Sequence, residues 1–220
     1  MPLPILVLAT RNRHKTEEIR AVLGDLFQYR TLTDLPGLPT IDETGATFAE
    51  NAHLKAHAIA LHLLQSSPPD FPHSHSLVLA DDSGLEVDAL DGAPGVHSAR
   101  FASADLHLPG NAPDAANNAR LLRCLHAIPP NRRTARFRCA LALTRVQPDL
   151  DTVHCEGRCD GHIAFVPRGT HGFGYDPLFI PDDFTESFAQ LGDDTKNRIS
   201  HRARALAQLR SHLRPQPSMD

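Results

Sequence analysis

The apolar run Ile5-Leu6-Val7-Leu8-Ala9, which gives way at once to the polar Thr10-Arg11-Asn12-Arg13-His14-Lys15, constrains the fold more than any other feature of the chain. A short strand that is apolar at every position is buried on both faces, as in a sheet covered by helices. Ile19, Val22, Leu23, Leu26 and Phe27 then recur at three- and four-residue spacing. The spacing predicts a helix from about Lys15 to Phe27 that lays one apolar stripe on the sheet. Strand, loop and helix in immediate succession are the repeating unit of α/β proteins.

Further elements follow the same logic. Thr47-Phe48-Ala49-Glu50 has the spacing of a capping box, which opens a second helix whose apolar face is Phe48, Ala52, Ala56, Ile59 and Leu63. Residues 66 to 75, rich in Pro and Ser, read as an exposed loop. Residues 77 to 80 form a short apolar strand that delivers Asp81-Asp82-Ser83-Gly84 to its carboxyl end, where open α/β sheets place their ligand crevices, with Leu85-Glu86-Val87-Asp88 read as an extended continuation. A helix over 114 to 128 precedes an alternating strand carrying Ala135, Phe137, Cys139, Leu141 and Leu143, with 153 to 160 as its pairing partner. A glycine-bearing loop spans 169 to 176, and a final helix begins near Thr195 and carries Ile199, Ala203, Leu206 and Leu213. The expected organisation is a single domain over 1–214, of two lobes in one continuous unit, with a flexible tail at 215–220.

A formal net charge of −4 argues against a general nucleic-acid binder, which usually presents a basic face to release counterions from phosphates. The apolar start is too short for a membrane span and lacks the charged flank of a signal peptide. A cytoplasmic protein is therefore expected, with Cys124, Cys139, Cys155 and Cys159 as reduced thiols. Lysine occurs only at 15, 55 and 196, so each is a position to watch.

Several clusters carry possible chemistry. Thr10 to Lys15 sets basic side chains at a helix N-terminus, whose unpaired N–H groups and dipole attract anions; a solvated basic turn is the plain alternative. Glu43, in Asp42-Glu43-Thr44-Gly45, and Asp82 lie on two loops and would suffice for Mg2+, which is held by one or two carboxylates, waters and substrate phosphates. Neighbouring strand residues point apart, so of Asp81 and Asp82 only one should face the metal, here taken as Asp82; an Asx turn is the composition-level alternative. Phe173, Gly174, Tyr175 and Asp176 put aromatics and a carboxylate on a glycine backbone that a planar base could approach, or a tight turn that tucks its rings into the core. Lys196 and Ser200 share a helix face at four-residue spacing, with His201 and Arg202 just around it. His53 and His57 at i, i+4 lack an evident third ligand for zinc.

Taken in order, Ala9-Thr10-Arg11-Asn12 with Lys15, Glu43-Thr44-Gly45 with Phe48 and Glu50-Asn51-Ala52, and Asp81-Asp82-Ser83-Gly84-Leu85 resemble the inosine/xanthosine triphosphate pyrophosphatases. Gly92-Ala93-Pro94-Gly95 with Ser98-Ala99-Arg100, Gly172-Phe173-Gly174-Tyr175-Asp176-Pro177 and Ile199-Ser200-His201-Arg202 continue the resemblance to near Leu213. Arg11 stands where many relatives have Gly, His171 precedes the aromatic loop, and 66 to 75 reads as an insertion.

The resemblance implies an elongated α/β fold of two lobes around a long mixed β-sheet with flanking helices, an active-site cleft between the lobes, and a homodimer. The implied activity is Mg2+-dependent hydrolysis of aberrant purine nucleoside triphosphates, such as dITP, ITP and XTP, to the monophosphate and pyrophosphate. It assigns the triphosphate to Thr10, Arg11, Asn12, Arg13, His14, Lys15 and Lys196, the metal to Glu43 and Asp82, and proton acceptance to Asp82. Ser83, Phe173, Gly174, Tyr175, Asp176, His201 and Arg202 complete the nucleotide pocket, with His201 or Arg202 donating to the 6-oxo group of the base. A general nucleoside triphosphatase releasing orthophosphate and a non-catalytic nucleotide sensor are the competing readings.

Overall fold

The computed structural model describes residues 3–35, 37–66 and 75–213. The predicted loop insertion and the tail lie almost wholly outside the described residues. Six strands, β1 (Ile5–Leu8), β2 (Gln28–Thr31), β3 (Ser76–Val87), β4 (Thr134–Arg145), β5 (Thr152–Ile163) and β6 (Phe179–Pro181), form one sheet in the order β2-β1-β3-β4-β5-β6. The sheet is mixed: β1 runs parallel to both β2 and β3, and β6 antiparallel to β5. Its helices are α1 (Arg13–Leu23), α2 (Phe48–Ser66), α3 (Asp114–Cys124), α4 (Phe188–Ile199) and α5 (His201–Leu213). The expected mixed α/β class is what the chain adopts.

The chain divides into two compact units, one of Met1–Asp82, Ala140–Gly157 and Arg202–Asp220, the other of Ser83–Cys139 and Arg158–His201. In the first, Leu6, Val7 and Leu8 of β1 are wholly buried, as a strand covered on both faces requires. The predicted α2 stripe is buried, Phe48, Ala52, Ala56, Ile59 and Leu63, but only part of the α1 stripe is: Ile19 and Leu23 are buried, Val22 is half-buried, and Leu26, beyond the helix, is 41% exposed. The capping box of α2 forms, with Glu50 N–H donating to Thr47 Oγ1 at 3.2 Å and Thr47 N–H to Glu50 Oε2 at 3.2 Å. In the second unit Leu85, Val87, Leu121, Leu125, Phe137, Phe179 and Phe188 belong to one apolar cluster, with the Phe137 and Phe179 rings 4.7 Å apart.

Four expectations are corrected by the coordinates. β2 (Gln-Tyr-Arg-Thr) and β6 were not foreseen, because β2 buries no residue fully and β6 is three residues long, so neither shows the period-two pattern that reveals a strand. α1 ends at Leu23 rather than near Phe27, because Gly24 leaves the helix (φ 63°, ψ −143°) and Phe27 is already extended (φ −139°, ψ 158°). β3 runs unbroken from Ser76 through the acidic pair to Val87, so the extended stretch after Gly84 is the same strand. α3 ends at Cys124 rather than 128, its terminal turn closing through Leu125 N–H to Leu121 O. The single last helix is two, α4 and α5, because Ser200 is extended (φ −67°, ψ 163°) and α4 is itself kinked at Gly192 (φ 76°). The break places Lys196 in one unit and Arg202 in the other, so the helical spacing of Lys196 and Ser200 is not the relation that matters.

Candidate active site

The turn between β1 and α1 is organised by Asn12. Its side-chain oxygen accepts from Lys15 N–H at 3.1 Å, capping the helix, and its own N–H donates to Thr10 Oγ1 at 3.1 Å. Satisfying an otherwise orphaned first-turn donor fixes where each following side chain leaves the helix. Lys15 turns inward, its Nζ 2.6 Å from Asp81 Oδ1. Arg13 turns outward to Glu17 at 2.7 Å, His14 is exposed beside it, and Arg11 reaches Thr40 Oγ1 at 3.4 Å on the surface. Of the six residues read as one anion trap, Lys15 is the one whose side chain meets the acidic pair.

Asp81 and Asp82 divide their partners as neighbours on a strand should. Asp81 is fully enclosed and gripped by Arg202, Nε to Oδ2 at 2.7 Å and Nη2 to Oδ1 at 3.3 Å, while Arg202 Nη1 also reaches Glu18 Oε2 at 2.5 Å. Burial alone would raise the Asp81 pKa, but the charges of Arg202 and Lys15 prevail and hold it well below the ordinary carboxylate value. Asp81 is thus a fixed anion that organises cations. Asp82 faces α2, where Asn51 Nδ2 donates to its Oδ2 at 3.1 Å and Lys55 Nζ stands 3.6 Å from its Oδ1. Here burial dominates, only partly offset by Lys55 and Lys15, and the Asp82 pKa is raised.

Glu43 reaches the same place. Lys55 Nζ is 2.7 Å from Glu43 Oε1 and donates to the Asp81 carbonyl at 2.8 Å, so one ammonium draws together Glu43 and the acidic strand. Asn51, fully buried one helical turn earlier, donates to Asp82 and accepts from Gly45 N–H at 2.8 Å, which ties the Glu43 loop to the strand. Burial would lower the Lys55 pKa, but Asp82 and Glu43 raise it, so Lys55 stays charged. Glu43 and Asp82, read from the sequence as lying on two separate loops, and Lys15 of the basic turn thus lie in one compact unit, around the Asp81-Asp82 pair.

This donor set suits a hard divalent cation. Two carboxylates from separate elements already converge on a positive charge, and Asp82 is desolvated and under-compensated, which a closely bound cation would correct. Among the described residues no group of three or more His, Cys, Asp or Glu side chains forms a metal cage. The set is an open one, to be completed by ligand oxygens rather than by protein.

In the second unit Lys196 is buried against Asp176, Nζ to Oδ2 at 2.5 Å, and lies 4.4 Å from the centre of the Phe173 ring. Asp176 Oδ2 also accepts from Phe173 N–H at 2.8 Å. Tyr175 is buried and donates its hydroxyl to Ser98 O at 2.9 Å, the core role that was the plainer reading of that aromatic. His201 is buried and stacked on Phe137, ring centres 4.7 Å apart, and Ser83 is half-buried on β3.

Two site residues were missed in the sequence, Asn51 and Lys55. Their four-residue spacing puts them on one face of α2, and Lys55 is one of three lysines in the chain, so both signals were present. His53 and His57 of α2 meet a third imidazole, His154 of β5, with ring centres of His53 and His154 5.3 Å apart.

Buried acids and lysines gathered beside a strand-loop-helix turn of a mixed sheet define an α/β protein with a densely charge-paired polar site. The model of the Ham1 family matches residues 6–212, and the chain belongs to that family. It is 46% identical over 94% of its length, and 96% of the relative's, to the dITP/XTP pyrophosphatase of Exiguobacterium sibiricum. The Geobacillus kaustophilus dITP/XTP pyrophosphatase is likewise 46% identical, over 93% of this chain and 91% of that one. Among solved structures, the Coxiella burnetii HAM1 protein superposes with a TM-score of 0.79 at 39% identity, covering 96% of this chain and 98% of that one. The Staphylococcus aureus Ham1 protein gives 0.77 at 35% identity, covering 95% and 97%.

Proposed function

We propose that this chain hydrolyses aberrant purine nucleoside triphosphates, dITP, ITP and XTP, to the nucleoside monophosphate and pyrophosphate. The observation that carries the reading is the convergence of Glu43 and Asp82 on the Lys55 ammonium, beside the Lys15–Asp81 pair, in a chain 46% identical to proteins named dITP/XTP pyrophosphatase. The cofactor is a divalent cation and, by the hardness of its donors, Mg2+, held by Glu43 and Asp82. When bound, it would supply positive charge to the oxygens of the breaking phosphoanhydride.

The chain's own groups do the rest. Lys15, at the capped N-terminus of α1, offers charge and donors to phosphate oxygens, with Thr10, Arg11, Asn12, Arg13, His14 and Lys196 as further triphosphate ligands. Asp82 orients the attacking water toward the α-phosphorus and accepts its proton, so that pyrophosphate leaves on the opposite side. Ser83, Phe173, Gly174, Tyr175, Asp176, His201 and Arg202 are assigned to the nucleoside. A donor toward the 6-oxo group would be left unpaired by adenine, whose amino group cannot accept. His201 and Arg202 are the candidate donors, and the Arg202 guanidinium also holds Asp81 and Glu18.

No helix among the described residues is long and apolar enough to cross a membrane. A cytoplasmic location is proposed from the sequence, and a homodimer is the assembly the family resemblance carries. The deciding experiment incubates the chain with inosine triphosphate, with and without Mg2+, and measures pyrophosphate and orthophosphate separately. Pyrophosphate that depends on Mg2+ and is lost in Asp82→Asn is the expected result. Orthophosphate release would mean a general triphosphatase, and binding without turnover a sensor.

A further inference from the structure

The loop that carries Phe173 has no regular structure of its own, so its shape must be held from outside. Gly172 and Gly174 stand at φ 73° and 63°, a region in which a Cβ is costly, and at Gly172 a Cβ would lie 2.1 Å from Asp176 Oδ2. A backbone turned in this way leaves peptide groups that need partners. For Gly174 both partners are on α3. Its N–H donates to Asp114 Oδ2 at 2.7 Å, and its carbonyl accepts from Asn118 Nδ2 at 2.9 Å.

Asp114 and Asn118 are four residues apart, on one face of the helix. A rigid element thus offers an acceptor and a donor in register with the two polar groups of a single residue. The contact also fixes the Asn118 amide, because a carbonyl accepts only from its nitrogen. The grip comes from one side only: where a Gly174 Cβ would point, nothing lies within 4 Å. The next links hold the remainder of the loop, Tyr175 to Ser98 and Asp176 to Phe173 and Lys196.

We propose that Asp114 and Asn118 are positioning residues for purine recognition, setting the pitch of the Phe173 ring through the peptide groups of Gly174. The proposal rests on the reading that residues 173 to 176 contact the base. Neither side chain is assigned to the substrate or the reacting atoms, so its loss should weaken the hold on the base and leave the chemistry intact.

The test is steady-state hydrolysis of inosine triphosphate by Asp114→Ala, Asp114→Asn, Asn118→Ala and Phe173→Ala, alongside inhibition by inorganic tripolyphosphate, which has no base. Asp114→Ala and Asn118→Ala should raise KM about tenfold while kcat stays within about threefold and the tripolyphosphate inhibition constant does not move. Asp114→Asn, which keeps an acceptor for Gly174 N–H, should restore KM to within about threefold of the unaltered protein. The proposal is overturned if KM in Asp114→Ala is unchanged while Phe173→Ala raises it, or if kcat and tripolyphosphate binding decline in step with KM, the mark of a general structural loss. An unchanged KM in Phe173→Ala overturns it differently, by removing the loop from base recognition altogether. Asp114 is exposed, so its variants carry the test even if the buried Asn118→Ala fails to fold.

Discussion

Lys55 is where the acidic side of the site finds its counter-charge. Replacing it with Met would leave Glu43 and Asp82 facing each other without the ammonium between them, and the Asp82 pKa, already raised by burial, would rise further. We expect Lys55→Met to lower kcat/KM for inosine triphosphate by roughly a hundredfold, ~2.7 kcal/mol of transition-state stabilisation, and excess Mg2+ to recover part of it. A second residue-scale effect concerns His53. Burial, then the charges of His154 and His57, holds its pKa below the ordinary 6.5, and its Nδ1 is buried with no hydrogen-bond partner. As pH falls through about 6.5 the unfolded chain takes up this proton before the folded one does, so stability present above that pH is lost below it. His53→Gln should therefore flatten the fall in Tm between about pH 7 and pH 5, with the unaltered protein as reference.

At the scale of elements, Arg133 joins the end of α3 to the end of β5. Its guanidinium, 2% exposed, donates to the carbonyls of Leu125 at 2.9 Å, Ile163 at 2.8 Å and Ala164 at 2.9 Å, and packs 4.2 Å from the Phe165 ring centre. Removing it strands buried acceptors, so Arg133→Met should cost about 2–4 kcal/mol in denaturant unfolding; Arg133→Lys, with one donor head for three carbonyls, should recover only part. None of this was visible in the sequence, because Arg133, directly after Arg132 and just before a strand, looks like surface charge. Elements with a continuous apolar run or a sustained period were legible: β1, α2 and β4 emerged where the run, the capping box and the alternation put them, while α1 stops at Leu23, short of the predicted Phe27. What escaped depended on single dihedrals. No side-chain pattern announces the extended Ser200 that splits α4 from α5, and without that break Lys196 and Ser200 looked like neighbours on one face of a single helix, with Arg202 just around it.

For the molecule as a whole, motif order announced the family while burial decided which members of each motif do what. Within the run 10 to 15 the sequence could not separate Lys15, turned to Asp81, from Arg13, turned to Glu17; that division follows from the helix rotation that Asn12 fixes. Asp81 and Asp82 were correctly expected to diverge, but that Arg202 would serve Asp81 is a contact across 121 residues, beyond any local pattern. Ligand linkage gives a measurement at this scale. A non-hydrolysable inosine triphosphate analogue at about a hundred times its Kd should stabilise the fold by ~2.7 kcal/mol. The upward Tm shift should survive in Asp82→Asn, which lacks turnover but keeps the other phosphate ligands.

The ammonium seated between Glu43 and Asp82 also bears on the order in which partners arrive. A resident positive charge steadies these two acids and, by the same token, repels an incoming bare metal ion. A polyphosphate would reverse that preference, because its oxygens would compete for the lysine and carry a chelated cation with them. The protein should thus have little appetite for the free ion and recruit metal and nucleotide as one package, leaving the idle enzyme unloaded until its substrate delivers both.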